Sequence, residues 1–161
     1  FIVGFLTIIC FAIASCMVWY FALSKKTVSF DSRLHIVCTT GFIADLVHIL
    51  GGDRVQVYSL MGPGVDPHLY HVREGDVKRL YEADMIMYHG LHLEGKMGHV
   101  FESMKSHKVV YAVTDVLDKT LLRSSGFSDL FDPHIWFDVS LWMRVAQGVC
   151  SLLSKHDAAY R

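Results

Sequence analysis

The sequence has no surplus of either charge: 15 Lys and Arg stand against 16 Asp and Glu in 161 residues, a formal net charge of -1 with histidine neutral. A nucleic-acid binder usually carries a basic excess, so that class of partner is excluded. Proline is scarce, at three residues, and glycine is ordinary at 12. No repeat with a period of roughly 20–50 residues recurs, which together with that composition removes collagen-like, low-complexity and solenoid architectures. At 52% hydrophobic the chain is too apolar to be disordered. Its four cysteines form no C-x-x-C pair, so neither a zinc ribbon nor a thioredoxin-like motif is supported. There is also no H-E-x-x-H, G-x-S-x-G or Walker loop.

Charge is missing altogether from residues 1–24, and Lys25 is the first charged residue. As a helix the run Phe1 to Leu23 would be about 35 Å long, enough to cross the hydrocarbon core of a bilayer. Residues 1–24 are therefore expected to be a signal peptide or membrane anchor. The sequence opens at Phe1 without an initiating methionine, and a few leading residues are expected ahead of it. Ile13-Ala14-Ser15-Cys16 looks like a bacterial lipobox, which would make Cys16 the acylated residue. The apolar run continues past Cys16 through Phe21, a pattern that fits an uncleaved anchor equally well. Lys25 and Lys26 on the far flank would favour a cytoplasmic C-terminal side by the positive-inside rule, a count left unfinished without the leader. Cys38 and Cys150, far apart in the remaining chain, are read as buried free thiols, with a disulfide as the extracytoplasmic alternative.

From residue 33 short β-branched runs alternate with amphipathic segments. Strands are expected over 34–40, 55–60, 85–88 and 108–113, and helices over 42–50, 73–83, 93–104 and 138–155. In the last helix Val139, Trp142, Met143, Ala146, Val149, Cys150 and Leu153 fall on the expected apolar side. This alternation predicts an α/β fold, a four-stranded, mainly parallel sheet flanked by helices. Ligands of such sheets sit at the carboxyl ends of the strands, where the loop bearing His68 belongs.

Histidine is over-represented, at ten residues. Two of them end the same tripeptide, Asp66-Pro67-His68 and Asp132-Pro133-His134, each in a loop. Proline fixes φ and restricts the residue before it, so the following imidazole is held with little ordering entropy. A metal ligand gains from such preorganisation, and the aspartates would serve as outer acceptors or turn formers. Asp-Pro is also a common turn start, so ordinary loop caps account for the pattern about as well. His71 reads as an exposed loop histidine and His92 as structural. Glu94 reads as a first-turn acid suited to the helix dipole. His35, His48, His89, His99, His107 and His156 show no mutual spacing that resembles a site.

Gly62-Pro63-Gly64-Val65-Asp66-Pro67-His68-Leu69-Tyr70, Gly75-Asp76, Ala83-Asp84, Gly90-Leu91-His92-Leu93-Glu94 and Asp132-Pro133-His134-Ile135-Trp136-Phe137-Asp138 together resemble the metal-binding solute receptors of manganese and zinc ABC importers, the TroA-like family. The resemblance runs from about residue 33 to the end. It implies an extracytoplasmic, often lipid-anchored protein of two α/β lobes joined by one long helix. The metal would lie between the lobes and be handed to a membrane permease. On this resemblance residues 33–137 are the N-terminal metal-binding lobe, 138–161 are the start of the interlobe helix, and the second lobe is absent. His68 and His134 are the implied first-lobe ligands, meeting a carboxylate or histidine and an aspartate from the other lobe. The implied cargo is a divalent cation, Mn2+ favoured over Zn2+ or Fe2+, because no cysteine adjoins either tripeptide and no long His/Asp/Glu-rich loop is present. Two alternatives compete with this binding protein. One is a metal-dependent hydrolase using the same two histidines, and the other is a non-binding remnant or adhesion module of the same fold.

Overall fold

The computed structural model describes residues 4, 13, 15–17, 19, 32–126 and 130–157. It divides into two units, Phe1–Asp31 and Ser32–Arg161. The expected signal or anchor segment lies mostly outside the described residues. Cys16 is described, as an exposed helical residue with a free thiol. No helix among the described residues is long and apolar enough to cross a membrane.

The second unit is built on β1 (Leu34–Cys38), β2 (Val55–Ser59), β3 (Met85–Tyr88) and β4 (Val109–Ala112). They form one sheet in the order β2-β1-β3-β4, with every pairing parallel. Four helices accompany them: α1 (Gly41–Gly51), α2 (Glu74–Glu82), α3 (Gly98–Lys105) and α4 (Val139–His156). Strand alternation divides the core between the two faces of the sheet. Ile36, Cys38, Met85 and Met87 point to one face and pack with Ile43 and Val47 of α1 and Val145, Val149 and Leu153 of α4. Val37 and Ile86 point to the other, against Leu80 of α2 and Phe101 and Met104 of α3. The chain passes from β1 outward to β2, then returns across β1 to β3, so its direction of winding reverses between β1 and β3. That reversal opens a crevice at the carboxyl ends of these two strands.

Three expectations need correction. The segment over 93–104 does not begin as a helix. Gly90, Leu91 and His92 all have positive φ, of 93°, 50° and 63°, and a 3-10 turn over Gly95–Met97 precedes α3. Left-handed backbone at two non-glycine residues blocks a helix start there. In α4 the buried line is Val145, Val149 and Leu153, at a spacing of four, whereas Val139 and Met143 are exposed. The rotation also exposes Cys150, so of the two thiols read as buried only Cys38 is. Asp138 caps α4 by accepting the Ser140 and Leu141 N–H groups.

Lys108 closes the opposite edge of the sheet. Its ammonium donates to the carbonyls of Leu80, Tyr81 and Ala83 at 2.8, 2.6 and 2.7 Å, satisfying oxygens that the end of α2 leaves open. Replacing it with methionine keeps the stem and loses all three contacts. We expect Lys108→Met to destabilise the chain by about 2 kcal/mol in urea unfolding; a loss within error of zero would contradict this account of the edge.

Candidate metal centre

His68 follows β2 and His134 follows β4 with its irregular extension, so both loops leave the carboxyl edge of the sheet. Each tripeptide is the same local device. Asp66 Oδ1 accepts the His68 N–H at 2.9 Å, and Asp132 Oδ1 accepts the His134 N–H at 3.0 Å. These are Asx turns, in which the aspartate turns the chain and the proline stiffens it. The loop around His68 is anchored just beyond it, where the Tyr70 hydroxyl donates to Asp76 at 2.6 Å and the Arg73 N–H donates to the same carboxylate oxygen. Burial, then the Asp76 carboxylate, pushes the Tyr70 phenol up to about 12, so it remains a donor.

The two imidazoles meet across the crevice with Nε2 atoms 3.5 Å apart. That is too long for an ordinary hydrogen bond. The His134 Nδ1–H donates to Asp132 Oδ1 at 2.7 Å, which leaves the His134 Nε2 lone pair bare. Hydrogen bonds from the His134 N–H and ring hold the Asp132 carboxyl below the ordinary aspartate range, keeping it the acceptor. Two zinc-bound nitrogens in a tetrahedral shell are separated by about 3.4 Å, and a right-angled pair at the same bond length by about 2.9 Å. The observed spacing matches the tetrahedral bite. A right-angled pair at that bond length needs the rings about half an ångström closer, within reach of small rotations of two exposed side chains. Among the described residues no group of three or more His, Cys, Asp or Glu side chains could hold a metal. The candidate site is thus a pair of imidazoles, of which His134 also lines a neighbouring cleft of about 460 Å3 with Arg123, Asp132, Phe137 and Asp138.

The remaining histidines separate clearly. The His71 Nδ1–H is spent on the Leu69 carbonyl at 2.9 Å. His92 is exposed in the left-handed turn. His89, dismissed on spacing alone, lies under the candidate site: it is 1% exposed and its Nε2–H donates to the Pro133 carbonyl at 2.6 Å. Glu94 is likewise not a first-turn acid. Its buried carboxylate accepts the Thr39 hydroxyl at 2.6 Å and the His89 and Gly90 N–H groups at 2.8 and 3.3 Å. Gly90 is required here twice over, for its positive φ and because a Cβ would come within 2.5 Å of Thr114 Oγ1. Trp136 completes the layer, stacked on Phe42 at 4.9 Å and edge-on to both His89 and His134 at 5.3 Å.

Residues 36–161 match the family model described as zinc-uptake complex component A, periplasmic. The chain belongs to this family of extracytoplasmic metal-binding components of uptake systems, which are not enzymes. It is 43% identical over 137 residues to the manganese-binding lipoprotein MntA of Bacillus subtilis, covering 83% of this chain and 45% of MntA. It is 43% identical over 136 residues to the zinc-binding protein TroA of Treponema pallidum, covering 82% and 44%. The solved structure of that periplasmic TroA superposes with a TM-score of 0.73 at 44% identity, over 76% of this chain and 44% of TroA. The chain thus spans about half the length of the curated relatives it matches. The family removes the hydrolase reading.

Burial holds the His89 imidazole well below its ordinary value of 6.5, at about 4. A depressed histidine contributes stability that is fully present above the unfolded value and is lost as pH falls toward the folded one. The window from 6.5 to about 4 corresponds to roughly 3 kcal/mol. Urea unfolding across that window is expected to show the loss in the wild type and a flatter profile in His89→Gln. Parallel profiles would mean that His89 is not buried as a neutral ring.

Proposed function

We propose that this chain is the metal-capturing part of a substrate-binding protein that takes a divalent transition metal outside the membrane and delivers it to an ABC permease. The observation that carries the reading is the pair of Nε2 atoms on His68 and His134, 3.5 Å apart, with Asp132 fixing the tautomer that bares one of them. Imidazole nitrogen is a borderline donor suited to manganese, ferrous iron and zinc. The metal is cargo, bound and released unchanged.

Manganese is the favoured cargo, with zinc and ferrous iron as competitors. The likeness to a manganese-binding lipoprotein and the lack of a cysteine beside either tripeptide support this choice. TroA, equally similar, is named for zinc, so zinc is the nearest rival. Two imidazoles leave most of the coordination shell to water. The chain alone therefore binds more weakly and less selectively than receptors of about twice its length, whose further ligands would come from a second lobe beyond α4. In this reading α4 is the start of the interlobe helix. Cys16 is the acylated anchor, in keeping with the lipoprotein names of relatives such as MntA and PsaA.

Calorimetric titration with Zn2+ and with Mn2+ tests the site. Saturable one-to-one binding is expected, falling at least about tenfold in His68→Ala and in His134→Ala with the melting temperature nearly unchanged, because both side chains lie on exposed loops. A variant with undiminished affinity would remove its residue from the site. Elemental analysis of the protein isolated from its native membrane without chelators would decide the cargo. Manganese is expected, and zinc in its place would overturn that preference.

A further inference from the structure

His134 sits on an exposed loop, and the aspartate that sets its tautomer sits on the same loop, so the Asp132 contact moves wherever the loop moves. The loop's backbone tie from the Asp132 N–H reaches the Arg123 carbonyl at 2.8 Å, in another irregular segment. The hydrogen bond that joins the tripeptide to the sheet comes from His89, immediately after β3 and 44 residues away from Pro133 in sequence. His89 is itself locked on both sides: its N–H is held by Glu94, and its carbonyl accepts the Thr114 hydroxyl at 2.7 Å and the Thr114 N–H at 3.2 Å. Its ring edge also meets Trp136, which in turn meets the His134 ring edge-on.

We propose that His89 is a positioning residue for His134: a buried imidazole that donates Nε2–H to the Pro133 carbonyl and so fixes the direction of the metal-facing ring. The inference rests on reading His68 and His134 as metal ligands, but the geometric part stands without metal. A buried histidine that merely filled space would tolerate an apolar ring of similar size. One that positions the loop needs an N–H directed at Pro133, which glutamine supplies and phenylalanine does not. Groups that orient a ligand in this way are worth about 10- to 100-fold in metal affinity.

The test compares the wild-type chain with His89→Phe and His89→Gln. Ring-nitrogen NMR of the metal-free protein at neutral pH is expected to show His89 in its Nε2–H form and His134 in its Nδ1–H form in the wild type. The His134 signals should move toward tautomeric exchange in His89→Phe and return in His89→Gln. Titration with Zn2+ should show about a tenfold loss for His89→Phe and recovery to within about threefold for His89→Gln. Unchanged His134 signals and Zn2+ affinity in His89→Phe would overturn the proposal. So would a wild-type His89 in the Nδ1–H form, a result that holds even if the phenylalanine variant does not fold. A wild type that binds no Zn2+ would count against the proposed function, while the ring signals would still decide the role of His89.

Discussion

The carboxyl edge of the sheet depends on how one buried carboxylate is satisfied. Glu94 draws the Thr39 hydroxyl from the end of β1 and two successive N–H groups from the end of β3 onto its oxygens. Burial raises its pKa, and the donors from Thr39, His89 and Gly90 act against that rise. An unpaired carboxylate in this position would cost several kcal/mol, so the left-handed turn through Gly90, Leu91 and His92 exists to bring those donors and that acceptor together. The strand ends are thereby joined where the sheet's winding reverses, beneath the two histidine loops.

Above these strand ends the chemistry is sparse. Two imidazoles from separate loops face each other with Nε2 atoms 3.5 Å apart, and proline and aspartate do the preorganising at each loop. Such a pair suits capture and release of a cation. Asp132 Oδ1 is engaged with the His134 N–H and ring, and Asp66 Oδ1 with the His68 N–H, so both aspartates serve to hold the loops. Membership of a family of metal-uptake components is consistent with this economy.

Much of this was legible in the sequence. Alternating apolar runs located all four strands and three of the four helices, and the repeated Asp-Pro-His picked out the two loops whose imidazoles meet. What escaped reading was non-local. The late start of α3 follows from positive φ at Leu91 and His92, residues with no intrinsic preference for that region. His89 could not be found by spacing, because its partner is a backbone carbonyl, which leaves no side-chain pattern. The burial of α4 turned on a line spaced by four that the denser apolar positions Val139, Met143 and Cys150 concealed. The Gly90-to-Glu94 motif did carry a signal, since a glycine followed four residues later by a buried acid is what a strand-end turn of this kind requires.

X-ray absorption at the zinc edge of the Zn2+-loaded chain measures the central claim most directly, because it counts imidazoles in the first shell. Two are expected at about 2.0–2.1 Å with oxygen from water completing the shell, falling to one in either His68→Ala or His134→Ala. A shell with no imidazole, or one that keeps two in either variant, would contradict the assignment of the paired histidines as the site.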